Sequence, residues 1–127
     1  MQDRHTYKYA VIRFLPRVER EEFFNVGVIL FCKRLKFLKV KYGINSAKLK
    51  AFSSEMDAET ILEYLNSWKS ICEGNPNAGP IATIEMSEKF GWLAACRSTV
   101  IQSSGTHAGL CVDPEKELEL LFEMYVK

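Results

Sequence analysis

Phe23-Phe24-Asn25-Val26-Gly27-Val28-Ile29-Leu30-Phe31-Cys32 is the stretch on which the fold turns. It is rich in aromatic and β-branched residues, and from Val26 onward it is apolar on both faces apart from Gly27. A strand with one solvated face alternates apolar and polar residues; this one does not, so it reads as a central strand covered on both sides. Before it, Tyr7 to Leu15 reads as a strand stopped by Pro16, with the charged connection Arg17 to Glu22 between the two. After it, Lys33-Arg34-Leu35-Lys36 reads as a hairpin turn, because the alternation changes phase there. Phe37 to Tyr42 then sends Leu38, Val40 and Tyr42 to one face and Lys39 and Lys41 to the other. The three strands form an antiparallel meander.

Helical spacing takes over after Ser54, where Ser54-Glu55-Met56-Asp57 has capping-box spacing and Ile61, Leu65, Trp68 and Cys72 share one face. Gly74 to Pro80 breaks the helix. Ile81 to Met86 reads as extended. Ser87 is the expected cap of a short helix running through Arg97 with Phe90, Trp92, Leu93, Ala94 and Cys96. Thr99 to Gln102 and Ala108 to Val112 read as two short strands. Asp113-Pro114 opens a last helix, Asp as N-cap and Pro in the first helical position, with Leu118, Leu121, Phe122 and Tyr125 as its buried stripe. The expected class is α+β: an antiparallel sheet built on the N-terminal meander plus two short later strands, with three helices packed on it. At 127 residues the expectation is a single domain over 1–127.

The net charge of +1 conceals an uneven chain. Residues 1–52 hold 12 basic and 4 acidic residues (+8), and residues 53–127 hold 5 and 12 (−7). The basic face comprises Lys33, Arg34, Lys36, Lys39 and Lys41, with Phe37 and Tyr42 interleaved. Such a face can follow a phosphate backbone, keep an edge strand from aggregating, or complement the acidic helices. The first of these is disfavoured, because no nucleic-acid-binding signature accompanies it.

Many chemistries lack their residues. His5 and His107 are too few and too far apart for a histidine metal site, and no HExxH, paired-Cys, EF-hand, phosphate-loop or GxSxG motif occurs, so neither metal nor cofactor is expected. His107 near Ser103 and Ser104 is the one pairing that could form a nucleophile and base. No apolar run reaches the roughly 18 residues of a membrane span, and no signal peptide is read at the start. Cys32, Cys72, Cys96 and Cys111 each sit in apolar stretches, which fits reduced, buried thiols in a cytoplasmic protein.

A polar set in apolar surroundings remains. Arg13 stands between Val11-Ile12 and Phe14-Leu15, Asn25 and Gly27 interrupt the central strand, and Arg97-Ser98 ends the second helix. An arginine at a core-like position needs acceptors, and Glu22 or else Glu85 could supply them. In the structural reading Arg13 and Glu22 pair, Asn25 satisfies the loop backbone, and Gly27 lets a helix approach. In the functional reading Arg13 and Arg97 form an anion pocket with Asn25 and Ser98 as neutral donors.

These residues also carry a family likeness. Tyr9 to Pro16, followed by Arg20-Glu21-Glu22-Phe23-Phe24-Asn25-Val26-Gly27-Val28-Ile29-Leu30, resembles the opening signature of the bacterial domain-of-unknown-function family 3037. That signature is an Arg-x-x-Pro strand end, then Arg-Gly-Glu-x-x-Asn-Val-Gly-Val. Phe90 to Leu93, Ala95 to Gln102, His107 to Leu110 and Asp113-Pro114 resemble its second half, so the likeness spans about 7–126. Glu21 stands where the family pattern has glycine, which puts a tight turn there in doubt. The family has no established activity. The resemblance implies an accessory role beside HipA-like kinases. The leading expectation is therefore a non-catalytic interaction module that binds a protein partner, such as a HipA-like kinase, or a second copy of itself. The alternatives are an anion-binding or enzymatic domain using Arg13 and Arg97, and nucleic-acid binding through 33–41.

Overall fold

The computed structural model describes residues 4–14, 24–44, 58–75, 77, 79–95 and 101–126. β1 (His5–Phe14), β2 (Phe24–Cys32) and β3 (Phe37–Tyr42) form the antiparallel meander. The turn between β2 and β3 is closed by Lys36 N–H donating to the Lys33 carbonyl at 3.2 Å, with Lys36 at φ 53°. α1 (Ala58–Cys72), a single 3₁₀ turn (Pro80–Thr83) and α2 (Met86–Ala94) follow. β4 (Ile101–Ser103), β5 (His107–Cys111) and α3 (Pro114–Tyr125) complete the chain. The fold is α+β.

The sheet order is β3-β2-β1-β4, and β5 also pairs with β1. β4 and β5 are two halves of one border. Ile12 pairs with Ser103 and Tyr9 with His107, so three steps along β1 match four along the border, with one residue in excess. That excess is a bulge at Ser104 to Thr106. Ser104 N–H donates to the Val11 carbonyl and Val11 N–H donates to Ser104 Oγ, both at 2.8 Å, so the ladder continues across the break. A second irregularity lies between Ile12 and Arg13, which pair with Gly27 and Asn25 and leave Val26 as the extra residue.

Helices cover both faces. Ile12, Phe14, Val26, Ile29, Phe31 and Val40 pack against Ile61, Leu65 and Trp68 of α1 and Phe90 and Leu93 of α2. On the other face Tyr7, Val28, Leu30, Cys32 and Cys111 pack under Leu118, Leu121 and Phe122 of α3. β2 is buried from Val26 to Cys32, as a strand without alternation requires. Asp113 caps α3, its carboxylate accepting from the N–H of Glu115 at 3.0 Å and of Lys116 at 3.4 Å.

Three local readings need correction. Of Ile81 to Met86 only Ile84 and Glu85 are extended: Pro80 fixes the first helical φ, Ala82 N–H bonds the Gly79 carbonyl, Thr83 Oγ1 donates to the Pro80 carbonyl, and Met86 already belongs to α2. The cap of α2 is Glu85 rather than Ser87, which sits inside the first turn. Gly27 admits a strand and not a helix. A β-carbon there would stand 2.8 Å from the Lys41 carbonyl oxygen and 3.0 Å from Tyr42 Cβ, both on β3. The proposed capping box at Ser54 to Asp57 and the connection 17–22 lie outside the described residues.

Candidate functional site

Strand alternation places Arg13 on the α3 side of the sheet, since its neighbours Ile12 and Phe14 belong to the opposite core. Register sets Asn25 on one side of Arg13 and Gln102 on the other, a polar row across three strands. Asn25 does not serve the neighbouring loop. Its Nδ2 donates to the Tyr125 carbonyl at 2.9 Å and so satisfies the C-terminal end of α3. Tyr9 and Tyr125 share a hydroxyl–hydroxyl bond of 3.1 Å, and the His107 ring lies 5.3 Å from Tyr9. Tyr7 Oη donates to Glu117 Oε1 at 2.8 Å.

The sequence brought Arg13 and Asn25 forward, and the register makes them direct cross-strand neighbours. Glu22, Arg97 and Ser98 lie outside the described residues. Glu85 opens α2, on the opposite side of the sheet from Arg13. Sequence reasoning missed Gln102, Tyr9 and Tyr125 as members of the row. Gln102 has a signal in retrospect: it is polar between two buried neighbours, Ile101 and Ser103.

None of the described side chains around this row is set up as a nucleophile. The hydrogen bond to Tyr125, with burial, pushes the Tyr9 hydroxyl up to about 12. Burial, with the bond to Glu117, pushes Tyr7 up as well. Both stay protonated near neutrality, and Tyr7 acts as the donor to Glu117. Burial lifts the Cys72 thiol to about 12 and raises Cys111, which keeps both from forming the reactive thiolate. Cys32, Cys72 and Cys111 are buried free thiols. Ser103 Oγ donates to the Ser104 carbonyl and Ser104 Oγ to the Gly105 carbonyl, so both hydroxyls serve the bulge. Among the described residues no group of His, Cys, Asp and Glu is placed to hold a metal ion. Nor is any described helix long and apolar enough to cross a membrane.

The five basic residues separate into two sets. Lys39 Nζ lies 2.7 Å from Glu115 Oε1, and Lys41 Nζ pairs with Glu119 while standing 5.1 Å from the Phe122 ring centre. The acidic face of α3 therefore neutralises β3 within the molecule. Lys33, Arg34 and Lys36 are exposed in the β2–β3 turn and make no ion pair among the described residues. Arg4, His5 and Thr6 face Lys33 and Arg34 around a cleft of ≈ 480 Å³ with no carboxylate among its described lining residues.

Fold and surface together define an antiparallel-sheet α+β protein with helices on both faces, a basic end, and no activated nucleophile among its described residues. A family model described as a protein of unknown function (DUF3037) matches residues 9–126, and the chain belongs to that family. No curated protein matches the chain. No solved structure matches it either.

Proposed function

We propose that this protein is a cytoplasmic, non-catalytic binding module that docks an acidic surface of a protein partner through the basic end of its sheet. One observation carries the reading. α3 cancels Lys39 and Lys41, whereas Arg4, Lys33, Arg34 and Lys36 gather at the other end and make no ion pair among the described residues, Glu85 being the one described carboxylate that shares a pocket with Lys33 and Lys36. Unpaired charge of one sign steers an oppositely charged partner and costs little in desolvation at a rim. The family resemblance makes a HipA-like kinase the first partner to test, and a second copy of the chain the next.

The test is cross-linking of the full chain in native lysate and with a purified HipA-like kinase, at low and high salt. A partner cross-linked near 33–36 is expected at low salt and should be lost in Lys33→Glu/Arg34→Glu/Lys36→Glu. A chain that sediments strictly as a monomer and cross-links to nothing overturns the reading, as does a partner indifferent to the triple reversal.

Two other readings have less behind them. Nucleic-acid binding through 33–41 loses two of its five cations to α3. It predicts single-strand affinity that falls steeply with salt. A small-anion or enzymatic site at Arg13 and Arg97 draws on the Asn25–Arg13–Gln102 row. It predicts a rise in Tm with an anion that Arg13→Met and Arg97→Met abolish.

A further inference from the structure

The cleft between the start of β1 and the β2–β3 turn has a chemistry more specific than a basic surface. Its walls are Arg4, His5 and Thr6 on one side and Lys33 and Arg34 on the other. Both walls are held in place, because β1 and β2 are paired in register through Lys8 and Phe31 and Cys32 Sγ donates to the Thr6 carbonyl at 3.6 Å. Two guanidiniums and one ammonium put three positive charges around one concavity, with no carboxylate among the described residues of its lining. His5 Nδ1 is closed off from solvent and has no hydrogen-bond partner among the described residues. An orphaned buried polar atom of this kind is uncommon, and the residue that carries it lines this cleft.

We propose that this cleft binds the phosphoryl group of a phosphorylated residue on the partner protein. The inference rests on the docking reading above and names the group docked. A lone carboxylate would leave most of the positive charge uncompensated. A phosphate monoester brings about −1.5 to −2 and three acceptor oxygens, the complement of guanidinium forks. The ≈ 480 Å³ cleft is larger than a phosphoryl group alone and leaves room for the side chain that bears it. A phosphodiester chain is a poorer match, since it needs cations that continue along a track, and beyond Lys36 the cations of β3, Lys39 and Lys41, are engaged by α3.

The test is amide and imidazole NMR of the full chain at fixed ionic strength. The probes are N-acetyl-phosphoserine methylamide, the corresponding serine and glutamate compounds, and inorganic phosphate. Saturating shifts confined to His5, Thr6, Lys33 and Arg34 are expected with the phosphoserine compound. Binding of the glutamate compound should be weaker by about tenfold, as should phosphoserine binding in Lys33→Gln/Arg34→Gln. His5→Gln should weaken it as well, while the melting temperatures of the variants show that the fold persists. Equal binding of glutamate and phosphoserine overturns the phosphoryl inference. Shifts that do not saturate, or that spread to Lys39 and Lys41, overturn it too. Inorganic phosphate binding better than the phosphoserine compound assigns the cleft to free phosphate and overturns the partner-borne form. A partner that is lost on charge reversal but retained after phosphatase treatment removes this inference and leaves the docking reading standing. Phosphoserine binding without any cross-linked partner removes the docking reading and the partner-borne form together, and leaves a phosphoryl-binding cleft.

Discussion

The Tyr7 ring lies across the α-carbon of Gly109, with Cζ and Oη each 2.7 Å from where a β-carbon would stand. Tyr7 is buried and its hydroxyl is tied to Glu117, so the ring cannot swing aside without breaking that bond. Gly109→Ala should therefore cost about 1–3 kcal/mol in urea unfolding. Gly27→Ala should cost at least as much, because its obstacle is the Lys41 backbone carbonyl. Gly91 in α2 has nothing within 4 Å of a β-carbon, and its alanine variant should be stabilised by about 0.4–1 kcal/mol. Equal effects at all three positions would contradict this packing.

Ser104 holds the bulge that joins β4 to β5. Its hydroxyl takes the Val11 N–H at a site that is 2 % exposed. Ser104→Ala leaves that donor buried and unsatisfied, a loss of about 1–3 kcal/mol. Hydrogen exchange should show the Val11 amide losing protection while that of Ile29, in the middle of β2, keeps it.

Asn25 donates to a carbonyl at the negative end of α3. Asn25→Asp replaces the donor with an acceptor that repels both the Tyr125 carbonyl and the helix dipole. It should destabilise more than Asn25→Ala at pH 7, by about 1 kcal/mol, and the difference should vanish once the new carboxyl is protonated. Denaturant midpoints at pH 7 and pH 3 test it. A pH-independent gap would remove Asn25 as the group that satisfies the helix end.

Raised thiol and phenol pKa values make alkali the weak flank. Cys72 goes from an ordinary 9.0 to about 12 and Tyr9 from 10.0 to about 12 on folding. A group with a raised folded pKa contributes its stability fully below the unfolded value and loses it as pH rises toward the folded one. The contribution of these two groups should thus be flat below about pH 9 and fall between about pH 9 and 12. Cys32, Cys72 and Cys111 should resist alkylation at pH 8 until the chain is unfolded. Mass mapping of the alkylated sites checks this, and a fast native reaction at Cys72 would refute the burial argument.

The meander was legible because its signals are local. Phase change at Lys33 to Lys36, alternation in Phe37 to Tyr42 and the unbroken apolar run of β2 each need only near neighbours in the chain. The cap at Asp113 was legible for the same reason. The 3₁₀ turn at Pro80 was missed because two apolar residues around a threonine look extended, while the proline's fixed φ decides otherwise. For the site, the polar residues in apolar strands marked Arg13 and Asn25, but their partners are remote in sequence. Asn25 meets Tyr125 across the whole chain, and no local pattern carries such a pairing.

Charge draws the same line. Local pattern along the chain was enough for the α+β class, the central place of β2 and the separation of charge into +8 and −7. How that charge is used depends on the folded chain. Register and helix placement set Lys39 and Lys41 against Glu115 and Glu119, while Lys33, Arg34 and Lys36 stay exposed in the turn. The physical reason is one of range. Hydrophobic period and turn chemistry act over a few residues, but a Coulomb interaction depends on distances that only the folded chain defines.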